Sequence, residues 1–138
     1  MNHRPILLTA IDFQRLTALL RDAVSGGIAR LEHLRVLHSR LDRAEVVDPR
    51  AIPADVITMN STVRLRDLAS DAVETYTLVY PGFADNGNQR LSVLAPIGTA
   101  LIGCRAGDTI EWNAPYGNNR AEIEAVESQP ERSGQYDL

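Results

Sequence analysis

"LSVLAPIGTALIGCRAGDTIEW", residues 91–112, decides how this chain is read. An alternating strand is halted by Pro96, a very short apolar helix follows, and Gly107-Asp108 starts another strand. Pro at the first helical position and Gly103 after the last residue cap "PIGTALIG" at both ends. A helix of under two turns carrying Ile97, Ala100, Leu101 and Ile102 has more apolar surface than one small core can take. Part of it is therefore expected at the surface, where contiguous apolar area often marks a partner site.

Upstream of that stretch the period is two. "VITMNSTVRLRD" and "VETYTLVYPG" alternate and are rich in β-branched residues, as half-buried antiparallel strands are. "SDA" at 70–72 reads as the turn between them, and "FADNGNQR" as a polar loop. Downstream, "DTIEWNAP" and "RAEIEAVES" form a closing hairpin around "YGNN".

The first third is helical instead. Thr9 with Asp12 makes a capping box in which Asp replaces the usual Glu, and Leu16, Leu19, Leu20 and Val24 keep helical spacing. "SGG" at 25–27 breaks the pattern. A second helix is expected from about Ile28 to Val46, with Leu31, Leu34, Leu37 or His38, Leu41 and Ala44 near a heptad seam. Two helices joined by a short Gly loop make an antiparallel hairpin, a short coiled coil with arms of about 20 to 28 Å. The expected fold class is α+β: the hairpin over residues 1–53, then an antiparallel sheet of about five strands with one short helix over 54–138.

With 138 residues, 44% of them hydrophobic and 23% charged, the chain has the composition of a folded globular protein. Its net charge of -4 argues against strong direct binding to bare nucleic acid. All 14 cationic residues are Arg. The single Cys104 offers neither an internal disulfide nor a thiolate cluster, and reads as a small half-buried thiol. No segment approaches the ~18 apolar residues of a spanning helix, so no membrane association and a cytoplasmic location are expected.

Catalytic patterns are not found. His33 and His38 are five apart, roughly 140° around a helix, and do not share a metal. "DNGNQR" at 85–90 resembles the start of a calcium loop, but the twelfth position is Pro96 rather than a bidentate Glu. There is no phosphate-binding Gly loop, nucleophile elbow or Lys base. Asp22 and Glu32 flank the tip of the hairpin on opposite arms rather than meeting at its apex. A non-enzymatic protein with no metal and no cofactor is expected.

The joint pattern resembles the Gre transcript-cleavage factor superfamily. There a strand leads into Ser-Pro-Ile, a short Ala-Leu-hydrophobic-Gly helix, then Gly-Asp and a strand, as in residues 91–112. "ITMNSTVRLRD" (57–67) resembles that domain's Val-x-Met-Gly-Ser-x-Val segment. "VITMNSTVR" (56–64), "TLVYP" (77–81), "LSVLAPIGTALIG" (91–103) and the tail "QPERSGQYDL" (129–138) are similar to the branch of regulators of nucleoside diphosphate kinase. The short hairpin followed by "LDRAEVVDP" agrees.

The resemblance implies an FKBP-like fold for the second domain. It also implies a monomer that binds bacterial RNA polymerase near the secondary channel, on the coiled-coil rim, in competition with Gre factors. Ala95, Pro96, Ile97, Ala100, Leu101, Arg105 and Asp108 are the expected contact residues. Cleavage factors carry paired acids at the tip of a longer hairpin. Here the arms are shorter and Gly-Asp-Leu-x-Glu-Asn is absent, and Ala95 stands where Ser is usual. Two alternatives remain: a true cleavage factor resting on Asp22 and Glu32, and a prolyl isomerase. The latter would need Tyr76, Tyr80, Phe83 and Trp112 to gather in a pocket.

Overall fold

The computed structural model of the chain describes residues 6–25, 32–114 and 117–136. Thr9 ends a three-residue strand, β1 (Leu7–Thr9), and its hydroxyl accepts the N–H of Asp12 at 3.0 Å, starting helix α1 (Ala10–Ser25). Helix α2 (Glu32–Asp42) packs against α1. The inward residues Leu16, Leu20, Ala23, Leu34, Leu37 and Leu41 keep the expected helical spacing, and all are buried. The apex of the expected hairpin, and the start of the second helix at Ile28, lie outside the described residues.

That second helix ends earlier than Val46. Arg43 and Ala44 close its last turn, and residues Glu45–Val47 form β2, which pairs in parallel with β1: Leu7 with Glu45, Leu8 with Val46, Thr9 with Val47. The β-branched pair Val46-Val47 prefers the pleated ribbon to another helical turn. The polypeptide therefore enters and leaves the helices side by side, in the same direction.

The main sheet contains β3 (Thr62–Asp67), β4 (Val73–Val79), β5 (Arg90–Ser92), β6 (Thr109–Ala114) and β7 (Gly117–Ser128) in the order β5-β4-β3-β7-β6. Its β3–β4, β3–β7 and β6–β7 pairs are antiparallel as expected, with the 70–72 turn where the sequence places it. Asp67 Oδ1 accepts the N–H groups of Ala69 and Ser70 in that turn. The expectation of a wholly antiparallel sheet is corrected at β5, which runs parallel to β4. Pro81 turns the chain out of β4, and residues 80–89 carry it back to re-enter in the same direction. Among the described residues the fold is a mixed α+β arrangement of three α-helices, the β1–β2 ribbon and the five-stranded sheet, the third helix being α3 (Pro96–Leu101).

One hydrophobic cluster joins the two parts. Leu8, Leu16 and Leu37 from the helical segment are fully enclosed with Ile57, Met59, Val63, Leu78, Leu101 and Ile123. Burying a side chain of that size is worth about 1.5 to 3 kcal/mol.

Candidate interaction site around the short helix

Helix α3 is fixed from one end by close backbone packing. Ala95 is its N-cap without a side-chain bond, and Pro96 occupies the first turn. The N–H of Ala95 donates to Ser92 O at 3.0 Å, and Thr99 Oγ1 donates to Val93 O at 2.7 Å. Gly98 lies so near the strand that a Cβ there would stand 2.1 Å from Ser92 O. Only glycine permits that approach. At the other end Gly103 takes φ 78°, and its Cα faces Ile6, whose Cβ would be 2.5 Å from an added Cβ.

Of the seven expected contact residues, the structure makes three groups. Pro96 is exposed, with Ala95 and Ile97 half-buried beside it; these present a corner to solvent. Leu101 is fully buried and offers a partner no surface, which corrects its placement at the centre of a contact. The reason is that α3 is covered on two sides, by β6 and by α2, so the apolar surplus of residues 98–102 goes inward after all. Ala100, Arg105 and Asp108 line a groove to which Ala95, Pro96 and Ile97 do not contribute.

Phe83 was assigned to a polar loop by sequence, yet it is the most exposed large apolar side chain described, at 66%. It ends the 3-10 turn Pro81–Phe83. The parallel register Val79 with Ser92 brings this turn off the same end of the sheet as Ala95-Pro96. Two prolines, Pro81 and Pro96, each two or more residues past a paired strand, were the available signal.

The groove measures about 780 Å³. Its lining includes Ile6, Val36, Arg40, Cys104, Arg105 and Glu111 of β6. Arg40 Nη2 donates to Ile102 O at 2.9 Å and to Cys104 Sγ at 3.1 Å, tying α2 to the end of α3. The Cys104 thiol in turn donates to Ala100 O at 3.3 Å. Asp108 Oδ2 accepts the N–H of Arg105 at 2.9 Å, fixing the turn into β6. Val36, on α2, is 47% exposed at the rim.

A second polar centre lies beneath α1. Asp12 is buried, and its carboxylate accepts the Met59 N–H at 3.1 Å, with the Tyr80 hydroxyl 3.4 Å from its other oxygen. The capping box is thus half realised: Thr9 caps Asp12, but the Asp12 side chain serves a different segment. Burial raises the Asp12 carboxyl to about 6; the Met59 N–H opposes that rise and the charge of Glu131 adds to it. Burial, and then the Asp12 charge, also push the Tyr80 hydroxyl up. Thr58 Oγ1 donates to Glu131 Oε1 at 2.7 Å and shares a 2.9 Å bond with Ser61 Oγ.

The remaining candidates do not assemble. Among the described residues no three His, Cys, Asp or Glu side chains are grouped to hold a metal ion. Asp85 accepts the Gly87 N–H at 3.1 Å and Asn88 Nδ2 at 2.6 Å, so this loop closes on itself. His38 pairs with Asp42 at 3.4 Å on the exposed face of α2. Asp22 is exposed on α1; Glu32 begins α2, and its side chain, like that of His33, lies outside the described residues. Tyr76, Tyr80 and Trp112 pack against the core while Phe83 is exposed, and among the described residues no aromatic side chain lines the groove.

Comparison with known proteins agrees with this arrangement. A family model described as "Transcription elongation factor, GreA/GreB, C-term" matches residues 52–128. Over 137 residues the chain is 39% identical to the regulator of nucleoside diphosphate kinase of Escherichia coli K12, covering 99% of this chain and 98% of that one. It is 41% identical over 102 residues to transcription elongation factor GreA of Agrobacterium fabrum, covering 74% of this chain and 61% of GreA. A solved GreA/GreB elongation factor from Nitrosomonas europaea is 42% identical. It superimposes with a TM-score of 0.73 and covers 88% of this chain and 98% of that one.

Proposed function

The chain belongs to the GreA/GreB family of transcription elongation factors, and we propose that it is a non-enzymatic regulator that binds bacterial RNA polymerase near the secondary channel. It competes there with Gre factors. The segment 54–138, taken as an FKBP-like domain, grips the coiled-coil rim, and the hairpin of 1–53 points into the channel. The observation that carries this reading is the Ala95-Pro96-Ile97 corner, exposed at Pro96 and held rigid by Gly98 and Thr99 against β5. A preorganised apolar corner binds without first losing side-chain and loop freedom. Leu101 supports it from the core, and Ala100, Arg105 and Asp108, which line the neighbouring groove, extend the proposed contact.

The name of the Escherichia coli relative supports an effect on nucleoside diphosphate kinase levels, exerted indirectly through transcription in the cytoplasm. Transcript cleavage is not part of the proposal, because the Gly-Asp-Leu-x-Glu-Asn tip motif does not occur in the sequence.

Purified core polymerase tests it. The chain should bind as a monomer and be displaced by GreA, and Ile97→Asp should lose binding while keeping its circular dichroism and melting temperature. Binding retained by folded Ile97→Asp refutes the corner as the contact. Factor-dependent RNA shortening in backtracked complexes would refute the non-enzymatic part.

A further inference from the structure

The segment after β7 lies past residue 128, where the match to the GreA/GreB family ends. It nevertheless opens with three buried residues in a row, Gln129, Pro130 and Glu131. The chain then closes on itself in a 3-10 turn (Glu131–Ser133). The N–H groups of Ser133 and Gln135 both donate to Pro130 O, at 3.0 and 2.9 Å, and Gly134 takes φ 87°.

Side chains of this knot reach the connection between β2 and β3. Gln129 Nε2 donates to Pro53 O and Val56 O, both at 2.8 Å, and Arg132 Nη1 donates to Ala54 O at 3.3 Å. Glu131 Oε1 accepts the Thr58 hydroxyl at 2.7 Å, and Arg50 stacks 5.6 Å from the centre of the Tyr136 ring. The next residue, Met59, gives its N–H to Asp12 of α1. Thr58 is thus held by the tail and Met59 by the helical segment, side by side on one turn. That turn is closed by the Ser61 N–H to Thr58 O at 3.1 Å and contains Asn60 at φ 67°. The charge of Glu131 also reaches Asp12, where it adds to the effect of burial.

Hydrophobic contact between the helices and the sheet is non-directional, so it keeps the two parts together without setting an angle between them. Hydrogen bonds on a tight turn do set one. We propose that residues 129–136 are a clasp that fixes the angle of the helical arm, α1 with α2, on the sheet body, with Glu131 as its positioning residue. Glu131 holds Thr58, and Thr58 places the Met59 N–H on which Asp12 is seated. Releasing the clasp leaves both parts folded and lets the arm take a second angle. On a polymerase gripped by the Ala95-Pro96-Ile97 corner, that angle decides where the arm points; this consequence alone rests on the proposed function.

Spin labels at Ala18→Cys on α1 and Val73→Cys on β4, both exposed positions, in a Cys104→Ser chain, report the angle as a distance by electron–electron double resonance. The labelled parent should give one main distance. In Glu131→Ala and in Thr58→Val the weight of a second distance should rise about three- to tenfold, the effect of losing one buried hydrogen bond. Glu131→Gln keeps an acceptor oxygen for Thr58 while removing the charge, and should match the parent. Thermal melting shows which variants are folded. Arg132→Ala, at an exposed position, should raise the second distance more weakly and supplies the test if neither buried variant folds. A single unchanged distance in the folded variants, even with a lower melting temperature, overturns the proposal, because the tail then only adds stability. A second distance in Glu131→Gln equal to that in Glu131→Ala also overturns it, by assigning the effect to charge. Polymerase binding by folded Ile97→Asp removes the corner and leaves these distances untouched, so the two readings fail separately.

Discussion

The Asp12 carboxylate, on the first helical turn of α1, accepts the backbone N–H of Met59 at 3.1 Å from 47 residues away in sequence. This contact joins the helical segment to the segment that leads into β3. Because Asp12 is 1% exposed, it also places a titrating group between the two parts.

The pH dependence follows from its raised carboxyl, about 6 in the fold against 3.8 unperturbed, with burial as the main cause. Between those values the folded chain holds more proton than the unfolded one. Stability from this group is therefore complete below about pH 4 and is lost as pH rises through 6. The shift corresponds to roughly 3 kcal/mol. Asp12→Asn removes the charge, so its stability relative to the parent should improve by about 2 to 3 kcal/mol between pH 4 and pH 7.5. Urea unfolding of both proteins at the two pH values measures it; a pH-independent difference would show that Asp12 does not titrate in that window.

Gly98→Ala should cost at least about 2 kcal/mol, because the new Cβ meets the Ser92 carbonyl oxygen at 2.1 Å and neither backbone can yield cheaply. Gly82→Ala is the matched control, with nothing within 4 Å, and should stay within about 0.5 kcal/mol of the parent. Equal unfolding midpoints for the two variants would show that α3 is not seated on β5 as described.

Gln129 is 1% exposed and donates from Nε2 to both Pro53 O and Val56 O at 2.8 Å. Gln129→Leu keeps the bulk and takes a donor from both carbonyls; Pro53 O still accepts the Val56 N–H at 3.2 Å, while Val56 O loses its side-chain partner, at a cost of about 1 to 3 kcal/mol. Denaturant melts decide; a loss under about 0.5 kcal/mol would mean that water replaces the amide.

Arg40→Ala deprives Ile102 O and Cys104 Sγ of a donor and should destabilise by about 1 to 3 kcal/mol. It should also uncover Cys104, which lines the groove and is only 8% exposed. Maleimide labelling under native conditions should be slow in the parent and several-fold faster in the variant. An unchanged labelling rate would separate Arg40 from the shielding of the thiol.

What could be read in the sequence was whatever has a local cause. Pro96 and Gly103 delimit α3 because proline and glycine act on their own dihedral angles, and the period-two segments at β3, β4 and β6 record a half-buried face. Three-residue strands leave no period, so the sequence offers no strand at Leu7–Thr9, and Glu45 and Val46 read as the end of the second helix. The parallel entry of β5 depends on where β4 lies, which residues 90–92 do not encode by themselves. In the same way, the sequence puts Leu101 at a surface because its second covering layer, α2, ends at Asp42, far earlier in the chain. Asp12 was read as a cap, and its long-range acceptor role has no local signature.

The β1–β2 pairing has a consequence for how this family can vary. Parallel neighbours lie about 4.8 Å apart, so the chain enters α1 and leaves α2 at nearly one point. Whole turns added to or removed from both helices together would change the reach of the arm without shifting Leu7 from Glu45. The arm is therefore a tunable part on a fixed mount, and its length can drift while the body that seats it stays the same.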